Sequence, residues 1–380
     1  TNLYFNPNGT DGFLVEAAAL GTPQAGINLY NFEPFDLRTG AVSGIPLTFT
    51  TNNSIFYPIV QDDVGLALST LDFTTMLYDR AVPIPAGFGS FAFPAGSLPG
   101  SALVDSVATN SSSSRSAYLA IDTASGAILT TRGDVTTGSG FSPPVDVTGL
   151  LGPNLDFGAL AQYYYDPNAD RGYLLLEDAS TACDQQSPQL VTVDYATGSA
   201  AVQTLAIGGG SPGLGSQGYH MAIDPATHVA AIATSCQLSV PSSAGAFRAE
   251  LTLLDLASGK TSRVFQHLLR EDQLLHGVVF APGGDSATVG IDPVNHLVLQ
   301  RSTFCPQLIG GADINARACL NLYDESGRLA KTIPGLFPDG FADMSTGFNG
   351  VNGTTRTGVA NGQEQNAFFV YSVDVQPYAY

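Results

Sequence analysis

One short segment of the sequence has the spacing of a calcium-binding loop. Asp166, Asn168 and Asp170 alternate along the chain, and Glu177 follows farther on. Oxygen-bearing side chains at alternate positions converge on a hard cation in EF-hand loops. Gly172 stands one place later than such a loop requires, however, and an Asp-Pro pair is typical of a turn that the Asp side chain caps. We therefore favour a turn, with a calcium ion held by these four side chains as the alternative.

Nucleophilic catalysis is not predicted. The Ser-Gly pairs of the sequence fall where turns are expected, and the turns account for them. The glycine-rich stretch 208–215 resembles a phosphate-binding loop, but it lacks the lysine and the following helix that such a loop needs. We interpret this stretch as a linker between repeats, and we assign no catalytic residue.

The chain contains 4 cysteines, an even number. In an extracellular chain an even number favours two disulfides. Cys305 and Cys319 would bracket one long loop, and Cys183 and Cys236 would occupy matching places in adjacent repeats. Closing the shorter loop would stabilise the fold by roughly 3 kcal/mol in the loop-entropy model. Buried free thiols are the alternative.

Four Asn-x-Ser/Thr sequons offer glycosylation sites, namely Asn8, Asn52, Asn110 and Asn352. Such sites need to lie on the surface, and all four fall in expected turns or loops. If the source organism glycosylates asparagine, we expect at least Asn110 to carry a glycan.

The negative charge of the chain comes from missing bases more than from excess acids. The formal net charge is -19, and lysine occurs only at Lys260 and Lys331. This composition argues against a nucleic-acid partner, because neutralising phosphates requires a basic face. No apolar run approaches the roughly 18 residues of a membrane span. Because the sequence starts at Thr1 without a signal peptide, we expect a processed, secreted, extracellular protein.

Two kinds of turn alternate along the chain. In the first, proline fixes φ and an Asp or Asn side chain caps the turn. Its copies, some of them partial, are Asn6-Pro7, Asp62-Asp63, Phe93-Pro94, Asp166-Pro167, Asp224-Pro225, Asp292-Pro293 and Asn349-Gly350. The second has the form Asp-x-x-Ser/Thr-Gly, in which glycine accepts a positive φ. Its copies begin at Asp36, Asp79, Asp122, Asp194, Asp255, Asp324 and Asp374, of which Asp79 and Asp374 lack the glycine.

This alternation is typical of a β-propeller, in which each blade has an inner and an outer hairpin. Seven turns of each kind predict an all-β, seven-bladed β-propeller with four-stranded antiparallel blades in a single domain, residues 1–380. The expected blades are 1–48, 55–87, 88–134, 157–208, 216–266, 276–336 and 343–380, with 135–156 as a linker loop. The alternative is six blades with 73–116 as an insertion. Helical spacing occurs only at Val264 to Leu275, which we interpret as an excursion from a loop.

The segment Val191 to Gly198, with relatives around Asp122 and Asp255, resembles the repeats of YVTN-type and lactonase-like seven-bladed propellers. For a lactonase-like hydrolase, the resemblance implies cation ligands at the inner strand starts, around a central channel, where the cation would polarise a carbonyl. His220 and His276 are the histidines so placed. A hydrogen-bonded structural role is favoured for both. His228 and His296 recur in equivalent first turns and are interpreted as structural parts of the repeat.

The favoured function is a non-catalytic extracellular scaffold that associates with copies of itself or with other matrix components, in a filament or a surface layer. Low charge, scarce lysine and the expected disulfides support this interpretation. A metal-dependent hydrolase of lactonase type and a carbohydrate- or ligand-binding propeller are the alternatives. No cofactor is expected apart from the alternative calcium ion.

Overall fold

A computed structural model describes the chain from Asn2 to Val373 with gaps. The residues outside the description are 1, 6–10, 21–26, 37–38, 40, 42–46, 52–59, 63–64, 73–76, 83–86, 92, 109–112, 114, 135–137, 152–159, 177–187, 206–218, 238–246, 270–288, 293–294, 303–318, 334–341, 348–349, 358–366 and 374–380. For many strands at either end of the chain, the backbone alone is described.

The described strands form seven antiparallel sheets, each built from strands that follow one another in the sequence. The first contains β1 (Asn2–Phe5), β2 (Asp11–Leu20), β3 (Ile27–Asp36) and β4 (Leu47–Thr51). The second contains β5 (Val60–Asp62), β6 (Gly65–Asp72), β7 (Leu77–Val82) and β8 (Gly87–Phe91). The third contains β9 (Ala102–Ala108), β10 (Ser116–Asp122), β11 (Ile128–Gly133) and β12 (Val145–Asp146).

The fourth sheet contains β13 (Leu160–Asp166), β14 (Arg171–Leu176), β15 (Gln189–Asp194) and β16 (Ser199–Thr204). The fifth contains β17 (Tyr219–Asp224), β18 (Val229–Gln237), β19 (Phe247–Asp255) and β20 (Thr261–Leu269). The sixth contains β21 (Val289–Asp292), β22 (Leu297–Ser302), β23 (Cys319–Asp324) and β24 (Leu329–Ile333). The seventh has three described strands, β25 (Ala342–Gly347), β26 (Gly350–Thr357) and β27 (Ala367–Val373).

Helix is nearly absent from the described residues. A short 3₁₀ helix spans Thr148–Leu150. In the described part of the chain, no helix has the length and apolar character needed to cross a membrane. The chain divides into two compact units, one of Thr1–Leu151, Tyr163–Tyr173 and Val191–Val202, and the other of Gly152–Gln162, Leu174–Leu190 and Gln203–Tyr380.

The core is made of strands that are buried along their length. In β14 every residue from Gly172 to Leu176 is buried, and all four residues of β21 are buried. Continuous burial is expected for a strand that is covered on both faces, and it explains why period-2 alternation is weak in the sequence. One buried cluster packs the fifth sheet against the sixth, with Ala231, Ala233, Leu251, Leu253, Val289, Ile291, Val298 and Tyr323.

The second kind of turn has the expected geometry wherever it is described in full. The carbonyl of Asp194 accepts the N–H of Gly198 at 2.9 Å, and that of Asp255 accepts the N–H of Gly259 at 2.8 Å. The two glycines have φ values of 70° and 71°, which glycine adopts without steric cost. The same turn closes at Asp122 and, one residue shorter, at Asp324. The prediction of this turn is confirmed at these four positions.

The third sheet differs from the expected blade 88–134. The turn at Asp122 joins the central strands β10 and β11, whereas the turn at Asp194 joins the last two strands of its sheet. The outer strand β12 therefore comes from the segment 135–156 that we expected to be a linker, and Gly87–Phe91 belongs to the second sheet. The predicted blade boundaries required every copy of this turn to join the two outer strands of a blade, and the turn at Asp122 instead joins the two central strands.

Two further expectations are corrected. Asp79 does not begin a turn, because it lies inside β7, paired with Thr70 on one side and Ser90 on the other. No glycine follows Asp79 to end the strand. The helical excursion from Val264 is also wrong as far as Leu269, because β20 pairs with β19 up to the partners Phe247 and Leu269. Residues 270–275 lie outside the described residues.

Candidate functional site

Three equivalent first turns bury an aspartate each. Asp166, Asp224 and Asp292 end the first strands of the fourth, fifth and sixth sheets, and each has an exposed fraction of 0%. A buried carboxylate must be compensated by hydrogen bonds or charge. The Oδ1 atom of Asp224 accepts the N–H groups of Ala226 at 2.8 Å and Thr227 at 3.4 Å. The side chain therefore closes the turn, as expected from Asp-Pro.

The last residue of each first turn adopts a left-handed backbone. The φ values are 52° for Asp170, 59° for His228 and 53° for His296. Asp, Asn and His enter this region more readily than other residues with a Cβ atom. The pattern Asp-Pro-x-x-Asp/His therefore places a polar side chain at the end of each turn.

His296 reaches from its turn in the sixth sheet to the buried aspartate of the fifth. Its Nδ1 lies 2.7 Å from Oδ2 of Asp224, across 72 positions of sequence. Glu325, directly after β23, accepts the hydroxyl of Thr227 at Oε1 over 2.7 Å. One ligand atom each from Asp224, His296 and Glu325 lies within 4.8 Å of the others, which makes this group a candidate metal-binding site.

The pKa values of His296 and Glu325 depend on the charges around them. The hydrogen bond to Asp224 raises the pKa of His296, and the negative charges of Asp224, Glu325 and Asp292 add to this effect. Burial raises the pKa of Glu325, and the charge of Asp224 raises it further. The group thus concentrates negative charge around one imidazole.

A second polar cluster joins the third sheet to the fourth. Arg132 on β11 donates Nε–H and Nη2–H to the two carboxylate oxygens of Asp170, each over 2.7 Å. Tyr165 donates its hydroxyl to Asp170 at 3.0 Å. Burial alone would raise the pKa of Asp170, but the hydrogen bonds and charge of Arg132 outweigh burial and lower it. Asp170 is therefore an ionised partner of Arg132.

Three hydroxyl groups meet beside this ion pair. Thr130 lies 2.8 Å from Tyr163 and 2.7 Å from Tyr195, measured between hydroxyl oxygens, and the two tyrosine oxygens are 2.6 Å apart. Burial raises the pKa of Tyr163 well above its usual value and raises that of Tyr195 to about 12. Both tyrosines are neutral at physiological pH, so this cluster joins the third sheet to the fourth by hydrogen bonds between hydroxyl groups.

The expected calcium loop is described in part. Asp166 accepts the N–H groups of Asn168 at 2.8 Å and Ala169 at 3.2 Å through Oδ1, which is the geometry of the favoured turn. Asp170 binds Arg132. Glu177 lies outside the described residues, and calcium binding stays a prediction.

The predicted channel histidines and cysteines are only partly placed. His220 lies in β17 opposite Ala233, and His276 is outside the described residues. Cys236 lies in β18 and Cys319 begins β23. Cys183 and Cys305 are outside the described residues. The disulfides and the channel site stay predictions.

The predicted glycosylation sites are also placed only in part. Asn8, Asn52 and Asn110 are outside the described residues. Asn352 was expected in a loop, but it lies within β26, between Ser345 and Ser372 of the neighbouring strands. Glycosylation of each stays a prediction.

The meeting of Asp224, His296 and Glu325 is not predicted from the sequence, where His296 is interpreted as a purely local part of the repeat. A signal is present in the repeated Asp-Pro-x-x-His pattern of two consecutive repeats, which places equivalent turns side by side. Glu325, directly after the Asp of the next turn, gives no such signal.

No protein-family model and no curated protein matches the chain. Solved structures do match it. Hydrazine synthase of Kuenenia stuttgartiensis is similar with a TM-score of 0.53 and 11% identity, over 98% of this chain and 94% of that one. Oligogalacturonate lyase from Vibrio parahaemolyticus has a TM-score of 0.51 and 11% identity, over 99% and 89%. The β-propeller domain of the trilobed protease from Pyrococcus furiosus has a TM-score of 0.46 and 9% identity, over 85% and 82%.

At such identities the likeness concerns the fold alone. Successive antiparallel sheets, each made of consecutive strands, are the arrangement of propeller blades. The likeness to solved structures extends over nearly the whole chain. The chain therefore has a β-propeller-type fold.

Proposed function

We propose that the protein is a secreted, non-catalytic β-propeller of seven blades that serves as an extracellular scaffold. It associates with copies of itself or with other extracellular components through the edges and faces of its sheets. The seven described sheets support the blade number. The observation that carries the function is the character of one outer strand, β16.

The outer strand β16 is exposed and uncharged. Four of its residues, Ser199, Ala201, Val202 and Thr204, are exposed, and Val202 has an exposed fraction of 43%. Its sequence, Ser-Ala-Ala-Val-Gln-Thr, contains no lysine, proline or acid. Natural sheets usually protect an edge with one of these residues or with a short strand. An edge without such protection is suited to pairing with another strand.

Two other outer strands with described side chains are protected. β24 carries Lys331, and β12 is only two residues long and includes Asp146. β20 carries Arg263. Among the outer strands whose side chains are described, β12, β16 and β24, only β16 lacks such protection, which favours it as the edge through which copies associate.

The polar side chains of the described third and fourth sheets support a non-catalytic role. Arg132 pairs with Asp170, and the hydroxyls of Thr130, Tyr163 and Tyr195 bond to one another. These groups hold neighbouring sheets together, which accounts for their burial without a reaction.

Electron microscopy and sedimentation velocity of the purified protein test the proposal, with a charged substitution in β16. We expect the wild type to form filaments, sheets or discrete oligomers. Val202→Lys places a charge on the edge and should shift the population toward single molecules. Ala257→Lys adds the same charge at an exposed turn residue and should leave assembly unchanged.

Two outcomes would overturn the scaffold proposal. One is a wild-type protein that remains a single molecule at all concentrations, alone and with extracellular matrix components. The other is turnover of a panel of lactones at enzymatic rates, which would favour the hydrolase. Equal assembly by both lysine variants would exclude β16 as the associating edge.

A further inference from the structure

The strongest unassigned chemistry among the described residues is the group of Asp224, His296 and Glu325. The three side chains come from three different turns in two neighbouring sheets of one compact unit. Their ligand atoms lie within 4.8 Å of one another. Two carboxylates and one imidazole are the donor types that proteins use for zinc and for similar divalent ions.

Charge favours a cation at this position. Within the described part of the chain, the carboxylates of Asp224 and Glu325 bond to each other and to the side chains of His296 and Thr227, and no lysine or arginine pairs with either. Asp292 adds a further negative charge near His296. The equivalent turn of the fourth sheet is different, because Arg132 neutralises its last residue. A divalent ion would supply in the fifth and sixth sheets the positive charge that arginine supplies in the fourth.

The donor atoms have room for a shared ion. Oδ1 of Asp224 is committed to its own turn, whereas Oδ2 faces His296. Donors bound about 2.1 Å from one zinc ion are separated by roughly 3 to 4 Å. The 2.7 Å between Nδ1 and Oδ2 would therefore lengthen slightly, which His296 can accommodate because its side chain is 47% exposed.

We propose that Asp224, His296 and Glu325 bind one divalent transition-metal ion, with zinc as the best match, which ties the first turn of the fifth sheet to two turns of the sixth. The ion replaces the proton on Nδ1 of His296. Water, or the hydroxyl of Thr227, completes its coordination. Calcium binds less tightly, because it prefers six to eight oxygen ligands.

Two conservative substitutions and one matched control test the site. His296→Asn keeps a residue that tolerates the left-handed backbone but removes the imidazole. Glu325→Gln keeps an acceptor for the hydroxyl of Thr227 but removes the charge. His228→Asn makes the same change as His296→Asn at the equivalent residue of the preceding repeat, where φ is 59°. The full chain is used throughout, after treatment with a chelator.

Isothermal titration with Zn²⁺, Mn²⁺ and Ca²⁺ measures binding. We expect one Zn²⁺ per wild-type chain, at least tenfold weaker Zn²⁺ binding in His296→Asn and in Glu325→Gln, and unchanged binding in His228→Asn. Adding Zn²⁺ should raise the Tm of the wild type and of His228→Asn, but not that of His296→Asn. X-ray absorption at the zinc edge should report nitrogen and oxygen ligands without sulfur.

Two results would overturn the proposal that these three side chains bind a metal ion. The absence of stoichiometric Zn²⁺ binding to the wild type would leave the group as a hydrogen-bonded latch between turns. Equal affinity in the wild type and in both site variants would place the ion elsewhere. If His296→Asn fails to fold, Glu325→Gln decides alone, because Glu325 is only partly buried.

Discussion

At the scale of single residues, the contact between Arg132 and Asp170 shows how this chain places charge inside its fold. Both side chains are largely covered, with exposed fractions of 15% and 22%. The guanidinium meets the carboxylate with two parallel hydrogen bonds, the strongest geometry for such a pair. A second ion pair, between Arg328 and Asp324, is far more exposed, because Arg328 is 60% exposed. The two pairs form a matched comparison.

Arg132→Ala should lower the free energy of unfolding by about 2 to 4 kcal/mol, because it leaves Asp170 covered and without its charge partner. Arg328→Ala should cost less than about 1 kcal/mol, since exposed pairs contribute little. Urea denaturation of both variants and the wild type measures the difference.

The loss in Arg132→Ala should also depend on pH. Arg132 holds the pKa of Asp170 below its ordinary value of 3.8 in the folded protein. The contribution is therefore fully present above pH 3.8 and is lost as the pH falls through the lower, folded pKa. The deficit of the variant should shrink below that pH. A constant deficit throughout this acid range, or equal losses in both arginine variants, would contradict the role given to this pair.

At the scale of elements, the hairpin of β13 and β14 lies close to the turn that begins at Asp194. The close approach is between Gly172 of β14 and Tyr195 of that turn. A Cβ atom on Gly172 would lie 2.6 Å from the hydroxyl of Tyr195 and 3.2 Å from its ring. Gly172→Ala should therefore destabilise the fold by about 1 to 3 kcal/mol through overpacking. Thermal and urea denaturation measure the effect.

A second substitution identifies the cause of that loss. Tyr195→Phe removes the hydroxyl nearest to the new methyl group, so the double variant should be less destabilised than the sum of the two single variants. Gly149→Ala is the control, because a Cβ atom at Gly149 meets nothing within 4 Å. Additive losses in the double variant would mean that the contact with Tyr195 is not responsible.

Local chemistry explains which elements could be predicted from the sequence. The turns at Asp194 and Asp255 were predictable, because each is built by an aspartate and a glycine a few residues apart. The strand through Asp79 and the strand from Val264 were not, because pairing with neighbouring strands decided their conformation. Local spacing carries no information about such partners.

The candidate site was less predictable for the same reason. The sequence indicates that Asp224 and His296 each belong to a first turn, but not that one turn reaches the other across 72 residues. Arg132 and Asp170 are 38 residues apart and belong to no shared motif. A long side chain that crosses between sheets leaves no periodic signal in the sequence.

At the scale of the whole molecule, the net charge of -19 opposes association between copies at neutral pH. The isoelectric point is about 4.3, so the repulsion vanishes as the pH approaches that value. We expect the sedimentation coefficient to rise as the pH is lowered from 7 toward 4.5, and to rise at pH 7 when salt screens the charge. Circular dichroism at each pH verifies that the fold is retained.

Unchanged sedimentation across this range, with the fold intact, would show that charge does not control association. Association at low pH that persists in Val202→Lys would mean that copies meet through faces other than the edge of β16. These outcomes separate the role of the overall charge from the role of one strand.

Several polar contacts run from one described sheet to the next one along the chain, among them Arg132 to Asp170, Gln203 to the carbonyl of Gly259, and His296 to Asp224. Within each compact unit, side chains therefore connect neighbouring sheets. Under a pulling force at the two ends, such fastenings would yield one after another instead of all at once. A chain built in this way would lengthen stepwise under load and would dissipate mechanical work at each step.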